Sequence, residues 1–431
     1  MHPSLVERRR QLLAAIGDAV AILPTAPEAV RNADANYPYR ADSHFLYLTG
    51  FTEPEAVLVL DGRRGKSILF CRGKNPELEI WEGFRHGPQA AAEAFAFDEA
   101  YAIEELDQRL PELLADVPAL YWPLGRVAAW DARVAGWLEA VRARARFGVD
   151  APAQFGDLLP LVDEMRLLKD EREQAILFRA GQVSAEAHVR AMQATRAGKY
   201  EYEIEAELLY HFVRNGARQP AYESIVAGGA NACTLHYVAN NARLNDGELL
   251  LVDAGCEFMG YAGDITRTFP VNGRFSQPQR DLYEVVLAAQ LAAIAAVQPG
   301  ATLDAPANAA LRVLVQGMLD YKLLAGSVDG VIESGDYRRF YMHGIGHFLG
   351  LDVHDVGLRR PGGQWRQFAA GMCTTIEPGL YVRPDDSVPA AFHHIGIRIE
   401  DNVLVTANGH YVYTDAAPKR IDDIEALMQA S

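Results

Sequence analysis

The chain has 431 residues, 49% apolar and 23% charged, with a net charge of −16. That length exceeds what one core usually serves, so two or three domains are expected, and the composition is ordinary for a soluble globular protein. The acidic balance argues against a nucleic-acid partner, which needs a Lys/Arg excess, and against an anionic membrane surface; no apolar stretch approaches the roughly 20 residues of a membrane span.

At the N-terminus, Arg8-Arg9-Arg10 and the apolar residues up to Ile16 imitate a secretory leader. Gly17 and Asp18 interrupt the apolar part too early, and Ser4 with Glu7 forms a capping box, so a folded, retained helix and a cytoplasmic location are expected. The cysteines Cys71, Cys233, Cys256 and Cys373 are scattered with no C-x-x-C spacing, which suits free thiols in a reducing compartment.

Residues 1–165 read as one α/β unit. Segments 19–23, 56–60 and 67–71 have strand character, and 99–114 carries Ile103, Leu106, Leu110, Leu113 and Leu114 at helical spacing. A second helix is expected over 134–146. The polar-aromatic segments 36–40 and 45–50 suit a face toward a partner or substrate, with ordinary surface loops as the plainer reading, and His44 and His86 read as isolated surface or hydrogen-bonded histidines. Beyond a boundary between Pro160 and Lys169 the pattern changes to long helices, over 171–196, 200–216, 277–297 and 305–324, with a strand over 221–229.

The chemistry begins at Leu249-Leu250-Leu251-Val252, a buried-strand pattern closed by Asp253; Asp264 lies in a second extended run, 264–269. A turn near Phe258 and Met259 would set the two aspartates roughly opposite each other, with cross-strand Cβ atoms about 4.5–5.5 Å apart. Two such carboxylates repel by roughly 4 kcal/mol at 4 Å and an effective dielectric of 20. They must share a proton or be given a cation. Further on, His343, His347 and His354 are interleaved with glycines; Gly344 stands where a zinc-binding helix would need glutamate, so a loop is expected to carry them. Glu377 ends a strand before the Pro378-Gly379 turn. Alternation puts Ile395, Ile397 and Ile399 on one face and Arg398 and Glu400 on the other, a pattern that alone also suits a plain surface ion pair.

In series, Asp253, Asp264, the glycine-flanked His343 and His347, Glu377-Pro378-Gly379 and Arg398 with Glu400 resemble the pita-bread metallopeptidases, and within them the bacterial aminopeptidase P family. Segments 36–40, 49–60, 251–273, 342–356 and 375–381, and His236-Tyr237, share the resemblance. It implies an α+β protein: an N-terminal creatinase-like α/β domain (residues 1–165), then a C-terminal pita-bread catalytic domain (residues 166–431). It implies five metal ligands, Asp253, Asp264, His347, Glu377 and Glu400, with Asp264 and Glu400 shared by two divalent ions. Oxygen-rich ligation with one imidazole favours Mn(II), with Co(II) or Zn(II) compatible.

The implied reaction is hydrolysis of the first peptide bond of peptides with proline second, by a hydroxide bridging two metals. Glu377 would shuttle the proton, His354 contact the scissile carbonyl, His343 the peptide beyond it, and His236 help close the site. Arg398 would steady Asp253; Tyr222 is a further neighbour of the ligands, with an ordinary core tyrosine as the alternative. Trp81 matches a tryptophan that a neighbouring subunit lends to the cleft in a homo-oligomer, a dimer or tetramer; a buried core Trp is the alternative. Proline dipeptidase shares the site but takes only dipeptides. Methionine aminopeptidase lacks a domain like residues 1–165, and creatinase-type hydrolases lose the ligands kept here. A non-catalytic peptide-binding module is the reading from another class.

Overall fold

A computed structural model describes residues 3–430. The chain parts between Arg166 and Leu167 into two compact units.

In the first unit, six strands form one sheet in the order Glu99–Ala102, Lys66–Cys71, Val57–Asp61, Val20–Pro24, Ala119–Trp122, Gln154–Asp157. The middle three run antiparallel and the outer pairings are parallel. Alternate residues Val20, Ile22, Val57, Val59, Ile68 and Phe70 point to one core, closed by Leu106 and Leu110 of one helix and Val134, Trp137 and Val141 of another.

Three expectations change here. The segment read as one helix over 99–114 opens instead as the edge strand Glu99–Ala102, and only Leu106–Leu113 is α-helical. The free edge of Lys66–Cys71 and packing of Tyr101 on Phe70, ring centroids 5.7 Å apart, override the helical expectation over its first residues. The second helix is Ala128–Arg142, earlier than expected. Segment 45–50 is no surface loop: Ser43–Thr49 is a helix with Phe45 and Leu48 buried, its start capped by Asp42 and its end by left-handed Gly50.

The basic run is built into this fold. Arg8 and Arg9 lie on the helix Pro3–Ile16 and donate to the carbonyls of Tyr47 and Leu48, each at 3.0 Å. His44 bonds Asp163 at 2.8 Å and His86 bonds Glu53 at 2.6 Å. No helix among the described residues is long and apolar enough to cross a membrane.

In the second unit the strand Leu249–Asp253 lies between Ile225–Gly228 and Thr266–Pro270, antiparallel to both. Parity assigns the faces. Leu250, Val252 and Phe269 join the large core beneath the helices Glu171–Ala194 and Gln277–Ala296, whereas Leu251 packs on the opposite face with Ile225, Ala227 and Tyr381. Asp253 shares the parity of Leu251 and so points away from the helices. Two further hairpin-like pairings complete the scaffold: Cys373–Ile376 with Asp401–Thr406, and Gly379–Val382 with Ile395–Arg398.

The expected cross-strand pairing of Asp253 with Asp264 is corrected. Asp253 faces Thr266, and Asp264 precedes the strand. The chain does turn at Met259 and Gly260, both left-handed (φ 52° and 85°), but within the smaller pair Cys256–Phe258 and Tyr261–Ala262. Between the two pairings the backbones press together: a Cβ on Gly255 would lie 1.8 Å from the Gly263 carbonyl oxygen. That close approach brings Asp264 beside Asp253 despite the register. Gly255→Ala should therefore destabilise the chain by about 1–3 kcal/mol or more, read as a lower urea midpoint; an unchanged midpoint would refute this role for the contact.

Candidate metal centre and active site

Each acidic side chain reaches the site from a strand end. Asp253 closes its strand, Asp264 precedes one, Glu377 sits between Cys373–Ile376 and Gly379–Val382, and Glu400 between Ile395–Arg398 and Asp401–Thr406. At a strand end the ladder no longer dictates direction, so side chains from three pairings can converge. His347 comes from the glycine-interleaved loop, not a helix. Gly346 is required there because a Cβ would meet the Thr375 carbonyl oxygen at 2.0 Å.

Ligand atoms of Asp264, His347 and Glu400 lie within 4.8 Å of one another. The His347 Nε2 is 3.4 Å from Asp264 Oδ2 and 3.5 Å from Glu377 Oε1. Its Nδ1 faces the Phe348 carbonyl at 2.9 Å. A carbonyl only accepts, so Nδ1 carries a proton and Nε2 is the nitrogen directed at the carboxylates, the orientation of a metal-ligating imidazole. Asp253 joins the group through Tyr222, whose hydroxyl is 2.6 Å from Oδ1 of both Asp253 and Asp264. Tyr222 is thus a shared donor to two carboxylates and no mere core residue; burial, then those two charges, hold its phenol protonated.

A cleft of about 410 Å³ opens over these groups and is also lined by His236, His343, His354, Arg398 and Tyr222. Every residue singled out in the sequence is gathered there except Trp81. That residue belongs to the first unit, on the helix Pro76–Glu82, and is 84% exposed, which overturns the alternative of a buried core Trp.

Negative charge dominates the centre. Burial, then repulsion from Asp264, Glu377 and Asp253, pushes the Glu400 carboxyl well above its usual range. Burial likewise raises Glu377 to about 7, His347 opposing and Asp264 adding to the rise. Burial alone would depress His347, but hydrogen bonding to Asp264 and its charge lift the imidazole to about 9. The site draws in positive charge, and four carboxylates with one correctly turned imidazole form a donor set that fits a pair of divalent cations.

Arg398 and Glu400 are no surface ion pair: both are buried. The Arg398 guanidinium donates to Asp253 Oδ2 at 2.7 Å, to Thr266 Oγ1 at 3.2 Å and to the Tyr381 hydroxyl at 3.0 Å. Thr266 Oγ1 in turn donates to Glu400 Oε2 at 2.7 Å, so the two residues communicate through a threonine. Tyr381 was not singled out in the sequence, yet its hydroxyl also meets His343 Nε2 at 2.8 Å while His343 Nδ1 faces the Gly344 carbonyl at 2.8 Å. This fixes the Nδ1–H tautomer, and burial with the nearby Arg398 charge lowers the imidazole to about 4, keeping it neutral.

Two more anchors escaped notice because nothing local marks them. Asn402 clamps the Asp264 peptide, accepting from its N–H at 3.1 Å and donating to its carbonyl. Lys169 and Asp355 form a buried pair at 2.7 Å that ties down the loop bearing His354; breaking such a pair costs about 3–5 kcal/mol. His354 packs edge-on against His347, centroids 4.3 Å apart, and burial, then the His347 charge, lowers its pKa.

Tyr381→Phe removes a single hydroxyl that serves Arg398 and His343. Leaving a buried guanidinium donor unmet should cost about 1–3 kcal/mol of unfolding free energy, measured by urea titration; a variant as stable as the parent would contradict the bridging role.

Comparison with known proteins agrees with this geometry. Residues 175–407 match the model for metallopeptidase family M24, and residues 5–121 that for the aminopeptidase P N-terminal domain. The chain is 46% identical to the Xaa-Pro aminopeptidase of Haemophilus influenzae, over 98% of this chain and 96% of that one. It is 45% identical to the Xaa-Pro aminopeptidase of Escherichia coli, over 99% and 97%. Among solved structures, the Pseudomonas aeruginosa aminopeptidase PepP superposes with a TM-score of 0.97 at 46% identity, covering 99% of this chain and 97% of that one. The buried acidic centre, the α+β architecture and these likenesses identify the chain as an enzyme of metallopeptidase family M24, belonging to the bacterial aminopeptidase P family.

Proposed function

We propose that the chain is a metal-dependent aminopeptidase that releases the first residue of peptides whose second residue is proline. The observation that carries the reading is the convergence of Asp264, His347 and Glu400 within 4.8 Å, with Glu377 3.5 Å from His347. Asp253, Asp264, His347, Glu377 and Glu400 would hold two divalent ions, of which Mn(II) best suits an oxygen-rich set, with Co(II) or Zn(II) compatible. Such a pair supplies an activated water near neutral pH and positive charge for the oxyanion.

The rest falls to the chain's own residues. Glu377, placed beside the centre 3.5 Å from His347, would take the proton of the attacking water and return it to the departing proline nitrogen. His354, which lines the cleft against His347, would offer an N–H to the scissile carbonyl as it gains charge. Neutral His343, held by Tyr381, offers a fixed contact to the peptide beyond the bond. Proline has no N–H to read, so its ring must be recognised by shape, and Leu235, Val238 and Val353 supply apolar wall in the cleft.

In this reading residues 166–431 are the catalytic domain and residues 1–165 a separate N-terminal domain. A homo-oligomer, dimer or tetramer, belongs to it as well: Ile80, Trp81 and Phe84 form an exposed apolar group that a second copy would cover. So does a cytoplasmic setting, since the four buried, unpaired cysteines suit a reducing compartment.

With Mn(II), purified protein should release arginine from Arg-Pro-Pro, and EDTA should stop it. Cleavage confined to Xaa-Pro dipeptides would replace the reading by proline dipeptidase, and no cleavage of either by a binding module. His354→Ala should lower kcat by more than about tenfold; an unchanged kcat would remove His354 from the reaction.

A further inference from the structure

Glu201 is the first residue of the helix Glu201–Arg214 and is fully buried. Its carboxylate accepts four hydrogen bonds: Oε1 from Gly228 N–H at 2.8 Å and Asn231 Nδ2 at 3.0 Å, Oε2 from the Tyr237 hydroxyl and Ala242 N–H, both at 2.8 Å. Its own N–H donates to the Ala242 carbonyl at 3.0 Å. One carboxylate thus gathers the beginning, middle and end of the segment 228–242.

That segment carries His236, which lines the cleft but is exposed. The His236 ring makes no hydrogen bond with another described residue. No hydrogen bond fixes the ring, so its place depends on the backbone that carries it. The adjacent Tyr237 follows the turn at Leu235-His236 and bonds Glu201, so anchoring Tyr237 fixes the backbone immediately after His236, whose ring lines the cleft.

We propose that Glu201 is the positioning residue for His236, the group whose charge pattern holds the loop at the cleft mouth. All four partners are donors, so only a carboxylate, with acceptor sites on both oxygens, satisfies them. The helix N-terminus favours the negative charge. An amide at this position would set its NH₂ against two donors and release one half of the loop. Other ties do not depend on Glu201: Asn240 accepts from Val226 N–H at 3.0 Å, and Arg383 donates to the Cys233 carbonyl at 2.8 Å. Loss of the carboxylate should loosen the loop and leave the fold.

The inference rests on the reading of His236 as part of the site, and a double-mutant cycle separates the two claims. Full-length protein loaded with Mn(II) would be assayed on Arg-Pro-Pro as wild type, Glu201→Gln, His236→Ala and the double variant. Amide hydrogen exchange over 228–242 in metal-free protein gives a second readout. We expect Glu201→Gln to lower kcat/KM by about tenfold or more, to speed exchange in the segment and to keep the bound metal. In the His236→Ala background the same change should alter kcat/KM less than about twofold.

Equal effects of Glu201→Gln in both backgrounds, or wild-type activity and exchange in Glu201→Gln, would overturn the proposal while leaving His236 in the site. An inert His236→Ala would overturn both. Should Glu201→Gln fail to fold, the same cycle with Tyr237→Phe decides, by the same criteria.

Discussion

Negative charge that cannot be solvated is the constraint on which the catalytic unit depends. Asp253, Asp264, Glu377 and Glu400 line one cleft, and their crowding with burial is enough to keep Glu400 far above an ordinary carboxyl. Arg398 offsets one charge at the edge, bonding only Asp253 among the four. The surrounding hydrogen bonds leave a donor-lined rim and an electron-rich centre: Tyr222 caps the two aspartates, Thr266 caps Glu400, and His347 turns its Nε2 inward. Divalent cations are a countercharge that fits such a centre.

The scaffold earns this arrangement by close backbone contact. The carboxylates come from the ends of strands far apart in the chain, Asp253 and Asp264 from one pairing and Glu377 and Glu400 from the junction of two others. Gly255 against Gly263, and Gly346 against Thr375, let segments approach more closely than side chains permit. Behind the centre, buried Arg267 bonds Asp401, the Glu400 carbonyl and the Ala417 carbonyl, tying the strand that delivers Glu400 to the one that follows Asp264. With Asp401 held by Lys419 as well, burial is outweighed and its carboxyl stays near 2, so this second charge cluster is internally neutralised where the first is not.

The family, and the residues that line the cleft, were legible in the sequence because Asp253, Asp264, His347, Glu377 and Glu400 stand in recognisable local motifs. Long helices such as Glu171–Ala194 were equally plain from their period. Pairing was not. The two aspartates were expected face to face, whereas Thr266 opposes Asp253, because register is fixed by the close packing around Gly255 and not by the turn. The residues at 99–102 looked helical until a sheet edge claimed them. Tyr381, Thr266, Asn402 and Glu201 went unremarked because each is an ordinary strand, loop or helix residue whose partner lies far along the chain.

The central claim is that this acidic centre holds two divalent ions and that Asp264 serves both. Metal content per chain, measured by inductively coupled plasma mass spectrometry after dialysis against Mn(II), tests it most directly. The account predicts two ions in the parent protein, one retained in Asp253→Asn and neither in Asp264→Asn, with all three folded. Two ions still bound in Asp264→Asn, or a parent protein that binds none, would contradict it.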